Sequence, residues 1–181
     1  MSKLSDFAYF VNDKISNEYL SADNYVGVDN LIANRGGVKI SNYLPIYGSS
    51  IRFRKNDILI GNIRPYFKKI WLATFDGGCS GDVLCIRSKQ KETAQYLYAC
   101  LSQDSFFDYD MAGAKGSKMP RGDKKHIMNF PFNLIKEYTK IGKLIVELET
   151  QIKRNEEMVQ KLQYFKPALN FSMNGGITHV G

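Results

Sequence analysis

From Ile141 to Phe165 the chain advances in alternating steps of three and four residues: Ile141, Leu144, Leu148, Gln151, Asn155, Met158, Leu162 and Phe165. That spacing draws one stripe along an α-helix, in the a and d positions of a heptad. Ile145, Ile152 and Val159 repeat at seven on the adjacent e position and widen the stripe. Gln151 and Asn155 put polar groups in mid-seam, where they lower stability but fix register and partner choice. Some thirty helical residues span roughly 45 Å, so the stripe outlasts a small head and predicts pairing with another helix, first of all that of a second copy. The helix is read over 136–167, with Pro167 ending it. The Gly- and Asn-rich residues 168–181 are expected to be a flexible tail.

Residues 1–135 read differently, as a globular head. Tyr25–Val28, Ile51–Phe53, Asp57–Gly61, Ile70–Phe75 and Asp82–Arg87 are short β-rich runs. Leu4–Phe10 fits either a strand or a short helix. Asn34-Arg35-Gly36-Gly37 and Asp76-Gly77-Gly78 read as turns. Between Lys91 and Phe107 the period changes to helical, with Ala94, Leu97, Tyr98, Leu101 and Ser105 on one face. The expected class is therefore α+β: a mixed globular domain followed by a long coiled-coil-forming helix. Hydrophobic content of 44% argues against disorder. Cys79, Cys85 and Cys100 are odd in number and lack CxxC spacing, which opposes a disulfide framework and a zinc site. No apolar signal region or membrane-length run occurs, so a cytoplasmic protein with no membrane partner is expected.

Most of the net charge of +7 lies in the head. Two basic clusters carry it. Arg52, Arg54, Lys55, Arg64, Lys68 and Lys69 are interleaved with Phe53, Tyr66, Phe67 and Trp71. Lys115, Ser117, Lys118, Arg121, Lys124 and Lys125 lie in or beside a loop containing Gly116 and Gly122. Phosphate contacts need flexible cations and backbone that can approach closely, and Arg suits bidentate reading of guanine. The bland alternative is solvated loop charge. Catalytic signals fail by comparison. Asn129-Phe130-Pro131-Phe132 lacks the first proline of an amino-methyltransferase box. Asp123-Lys124-Lys125 lacks the further acidic ligand that a metal nuclease wants. His126 is read as a loop or phosphate-side residue, and no catalytic or metal-ligating residue is expected.

An ordered set of segments carries a resemblance. It comprises Asn56-Asp57-Ile58-Leu59-Ile60-Gly61 leading to Ile63-Arg64-Pro65-Tyr66; Ser80-Gly81-Asp82-Val83-Leu84; a helix ending Phe106-Phe107; the loop Gly116-Ser117-Lys118-Met119-Pro120-Arg121; Asn129–Phe132; and then the long helix. In this the chain resembles one half of a DNA-specificity (S) subunit of a type I restriction–modification system. The resemblance implies a target recognition domain over 1–135 that reads half of a split duplex site, and a conserved helix that acts as spacer and docks methyltransferase (M) subunits. Restriction (R) subunits are then also possible partners. It implies no cofactor in this chain: S-adenosylmethionine, ATP and Mg belong to partner subunits. A homodimer would supply the second half. Two alternatives stay open, a recognition fragment of a fused restriction–methylation enzyme and a coiled-coil interaction module that binds no DNA.

Overall fold

The computed structural model describes residues 2–174, with side chains through Phe165. It divides into two compact units, the first running to Lys143 and the second starting at Leu144. The first unit is α+β. Its elements are α1 (Leu4–Phe7), β1 (Ala8–Phe10), β2 (Lys14–Ser16), β3 (Tyr25–Val26), β4 (Ser49–Phe53), β5 (Ile58–Gly61), β6 (Ile70–Leu72), β7 (Gly77–Cys79), β8 (Val83–Ser88), α2 (Ala94–Leu101), α3 (Asp104–Gly113) and α4 (Lys124–Met128). One sheet is ordered β1-β8-β5-β6 and is antiparallel throughout. The other is ordered β2-β4-β7-β3, with β3 parallel to β7.

Side chains alternate across a strand, and this explains why β5 is buried on both faces. Leu59 joins Phe53, Trp71, Cys79, Val83 and Cys85 in the core between the two sheets. There Phe53 and Trp71 meet edge to face at 6.0 Å. Ile58 and Ile60 alternate to the opposite face, and α2 packs against β6 and β8 of the same sheet. Sheet, sheet and helix therefore form three layers. Asp57, nearly inaccessible, is held by bidentate donation from Arg87 Nε and Nη2, both at 2.7 Å.

Four sequence expectations need correction. The Gly77-Gly78 pair is not a turn but strand β7, with β4 on one side and β3 on the other. Glycine is required there by crowding: a Cβ on Gly77 would sit 2.0 Å from the Asn24 carbonyl oxygen. The single helix expected over 91–107 is two, α2 and α3. Ser102 breaks it, its hydroxyl donating back to the Tyr98 carbonyl at 2.8 Å while its own carbonyl accepts from Arg35 Nε. Lys124, Lys125 and His126, read with the loop, belong to α4. Asp123 caps it, accepting from Lys125 N at 2.9 Å and His126 N at 3.1 Å. That is the role of the aspartate in the nuclease-like triplet. Finally α5 (Tyr138–Asn174) does not end at Pro167. A proline removes one backbone donor and kinks a helix without forbidding its continuation. The expected tail over 168–181 is thus helical through Asn174, and its remainder lies outside the described residues.

Within the first unit the start of α5 is tightly seated: a Cβ on Gly142 would lie 2.5 Å from the Tyr96 backbone nitrogen. In the second unit the seam is open. Leu144, Leu148, Met158, Leu162 and Phe165 are 52–61% exposed. Among the described residues no helix is long and apolar enough to cross a membrane. Cys79, Cys85 and Cys100 are free thiols.

Candidate nucleic-acid interface

The sequence places six cations of the first cluster within one run, but strand direction sends them to different ends of the unit. Ser80 follows β7 and Asn62 follows β5, at one end of the paired strands. Arg54 follows β4, which runs antiparallel to β7, and so lies at the other end with Asp57 and Arg87. Arg52 sits mid-strand on β4, exposed, its backbone N–H donating to the Asp13 carbonyl at 2.8 Å. Arg64, Tyr66, Lys68 and Lys69 stay together, and the second cluster joins them. Ile63 bridges Arg121, and Arg64 N donates to the Pro120 carbonyl at 2.8 Å. Arg121 and Lys115 exchange backbone hydrogen bonds at 2.9 Å, which closes the loop that carries Ser117 and Lys118.

Backbone strain concentrates here. Among the described residues five other than glycine have positive φ: Asn34, Arg35, Asn56, Arg64 and Lys68. Four of them form one hydrogen-bonded patch. Asn34 N donates to the Phe67 carbonyl at 2.8 Å, and Arg35 N to the Lys68 carbonyl at 2.9 Å. Side chains of this kind in the left-handed region cost about 1–3 kcal/mol each, and such strain gathers at functional sites. Beside the patch opens a cleft of about 590 Å³, lined by Tyr25, Asn30, Tyr43, Arg64, Phe67 and Lys69 among others. Arg64 Nε is buried there without an acceptor among the described residues. Tyr66 is half exposed, its ring 4.8 Å from that of Phe67.

The cations are held in distinct ways. Asp104 binds Arg35 and, at 2.8 Å, Lys68, and these two cations hold its carboxyl below the usual carboxylate range. Lys69 Nζ donates to the Val28 carbonyl at 2.7 Å. Lys115 pairs with Asp123 at 2.5 Å, and Arg121 with Asp82 at 3.3 Å. Donation from Lys115, then from the His126 backbone, holds the Asp123 carboxyl down at about 2. Lys124 lies over the Phe10 ring, 5.4 Å from its centre. Lys118 and Lys125 are exposed, and among the described residues neither side chain has an ion-pair partner. The paired lysines remain available to a polyanion, because exposed ion pairs are worth only about 0–1 kcal/mol. His126 is not a loop residue. It belongs to α4, its ring stacked on Tyr109 at 4.1 Å and its Nε2 donating to the Tyr109 carbonyl at 2.8 Å.

Sequence reasoning missed the other wall of the cleft. Asn30, Lys39, Asn42 and Tyr43 come from a long segment with few regular elements, and Tyr43 is 69% exposed. The only local hint was an aromatic and amide-rich composition. Asn129–Phe132, weighed as a methyltransferase box, is structural: the Phe130 carbonyl accepts from Leu4 N at 2.9 Å, and Phe132 N donates to the Ser2 carbonyl at 3.1 Å.

No protein-family model matches the chain. Over 98 residues it is 29% identical to the specificity subunit of the type I restriction enzyme EcoDI of Escherichia coli, a match covering 51% of this chain and 22% of that protein. Its fold is similar to the HsdS subunit from Thermoanaerobacter tengcongensis, with a TM-score of 0.61, 17% identity, and coverage of 93% of this chain and 46% of that one. It is similar as well to the type I restriction-modification S subunit from M. genitalium, with a TM-score of 0.61, 14% identity, and coverage of 92% and 43%. A structure from a study of complex assembly and conformational transition in a type I R-M system gives a TM-score of 0.65 at 16% identity, covering 99% of this chain and 50% of that one. The chain thus spans about half the length of these solved relatives. Part of its sequence is thus similar to one type I restriction specificity subunit, and its fold to two S subunits, of each of which it spans about half.

Proposed function

We propose that this chain reads one half of a split duplex DNA site for a type I restriction–modification complex. In this reading the first unit is the recognition domain. The long helix pairs with a second helix and offers a surface to methyltransferase subunits, with restriction subunits as further partners. The chain carries no catalysis of its own and works in the cytoplasm. Adenine methylation with S-adenosylmethionine, and cleavage driven by ATP with Mg, take place in partner subunits.

The observation that supports this best is a strained, aromatic-lined cleft that holds Arg64 and Lys69, with the loop of Lys118 and Arg121 joined to it through Met119 and the Ile63–Arg121 bridge, in a fold shared with specificity subunits. Duplex recognition needs cations to position the backbone and a few aimed side chains to read base edges. Lys118, exposed on its loop, suits the first task. Arg64, pinned by its backbone and buried at Nε, suits the second.

The test is duplex binding by the methyltransferase complex across a salt series. Lys118→Ala is expected to weaken binding to every sequence and to flatten the salt slope by about one unit. Arg64→Ala is expected to cost about 1–3 kcal/mol on the preferred duplex and much less on others. Charge reversal at Lys118 and Arg121 together that left affinity and salt slope unchanged would place the DNA face elsewhere.

A further inference from the structure

The loop from Lys115 to Gly122 rests on two buried oxygens that no donor reaches. Asp110, in α3, is wholly buried, and among the described residues neither Oδ1 nor Oδ2 has a hydrogen-bond partner. Asn62, just past β5, has a buried Oδ1 in the same condition. Both face one point of the loop. A Cβ on Gly122 would lie 2.3 Å from Asp110 Oδ1 and 3.1 Å from Asn62 Oδ1. Gly122 N–H donates to the Asn62 carbonyl at 3.4 Å, so loop and strand end already touch there.

Two buried acceptors that converge on one glycine are both satisfied by a single hydrogen held between them. An ionised carboxylate buried without a donor is far costlier than a neutral acid. The neutral acid brings an O–H that an amide oxygen accepts. The charged and titratable groups of the surrounding elements leave this solution standing. His126, from α4, acts on Asp110 and favours its charged form, but burial outweighs it and pushes the carboxyl up to about 6. Arg64, two residues past Asn62, has its Nε buried without an acceptor. Lys68 is committed to Asp104, Lys124 to the Phe10 ring, and Lys125 is exposed. On α2, Tyr96 interacts with Cys100.

We propose that Asp110 carries a proton shared with Asn62 Oδ1, and that this hydrogen bond clamps the Lys115–Gly122 loop to the end of β5. When the proton leaves, two acceptors face each other and the loop lifts to let water in. The native chain then holds more protons than the unfolded chain between about pH 4 and pH 6, so this group's stabilisation falls as pH rises through that window. The clamp itself needs no DNA. Its consequence, a tighter grip on DNA toward acid, rests on the function proposed above.

The experiment is a carboxyl-carbon NMR titration of the full chain, with amide exchange protection factors at about pH 5 and about pH 7.5. Asp110 is expected to titrate near 6. The Lys115 and Arg121 amides are expected to lose about tenfold in protection at the higher pH. Asp110→Asn supplies a permanent donor and should hold low-pH protection at both values, whereas Asn62→Ala should lose it at both. An Asp110 that titrates in the ordinary carboxylate range overturns the proposal, because the Asn62 amide would then be turned to donate to a carboxylate. So does a pH-dependent loss that persists in Asp110→Asn. If that variant fails to fold, the wild-type titration still decides. DNA binding is measured separately on the methyltransferase complex: its absence beside an intact proton signature would sink the functional reading and leave the clamp standing.

Discussion

Replacing Leu148 and Leu162 by Asp is expected to turn a two-fold dimer into monomers. Both leucines are more than half exposed on α5, at 52% and 61%. They belong to a stripe, Leu144 to Phe165, that a second helix would cover. Burying a leucine fully is worth about 1.5–3 kcal/mol, so half-exposed leucines contribute about half of that each. An isologous interface counts every residue twice, and a charge forced into the seam adds a further penalty. Before that penalty the combined loss is about 3–6 kcal/mol, which is roughly a hundredfold or more in dissociation constant. Light scattering at tens of micromolar checks it. A wild-type monomer at that concentration, or a double variant that still dimerises, sinks the pairing. Such a dimer would carry two identical heads in opposite orientations, so the methylated motif should be palindromic with a fixed gap. Methylome sequencing of cells expressing this chain with its methyltransferase would read that motif directly. Deleting the heptad Leu148–Arg154 should alter the gap and leave the half-site unchanged.

Gly77→Ala is expected to destabilise the first unit by about 3 kcal/mol or more, the upper range for forcing extra atoms into a packed interior. The new methyl would stand 2.0 Å from the Asn24 carbonyl oxygen and 2.8 Å from Phe53 Cζ. The first neighbour is backbone and the second belongs to a fully buried ring, so neither can swing away. Gly81→Ala is the control: its added Cβ meets nothing within 4 Å, and its φ lies outside the left-handed region. It is expected to change stability by less than about 0.5 kcal/mol. Thermal or denaturant unfolding of both variants distinguishes crowding at Gly77 from a general intolerance of this glycine-bearing segment. Equal effects would refute the crowding account.

Period-based features were the most legible in the sequence. The heptad from Ile141 to Phe165 and the strands β4, β5, β6 and β8 follow from spacing and β-branched runs alone. What failed were local signals overridden from a distance. The Gly77-Gly78 pair carries turn chemistry, yet neighbours far along the chain crowd it into a strand. Ser102 ends a helix because Arg35, from a distant loop, takes its carbonyl. Pro167 looked like a terminus because its backbone cost is local and the helix around it is long. Within the candidate site, the basic stretch 115–125 was legible because its cations are close together in sequence. The division of Arg52 and Arg54 from Arg64 was not, since strand direction separates residues that the sequence groups. Nor was the Asn30–Tyr43 wall, whose residues are scattered. Asp110 reads as any helix aspartate, and only the closeness of Gly122 sets it apart.

The stitching of the chain's first residues onto 129–132 also bears on the order of events during synthesis. Ser2, Lys3 and Leu4 find their partners only at Phe132, Pro131 and Phe130, and β1 finds its own at β8. This segment leaves the ribosome well before its partners and waits for one of the last parts of the head. At about 5–20 residues per second, that wait is roughly 6–26 seconds. Until β8 has emerged it is β1 that stands unpaired, an open strand that wrong partners can use. Chaperone dependence in the newborn chain should accordingly fall only after residue 132 has emerged, when the head closes and the seam of α5 is still being made.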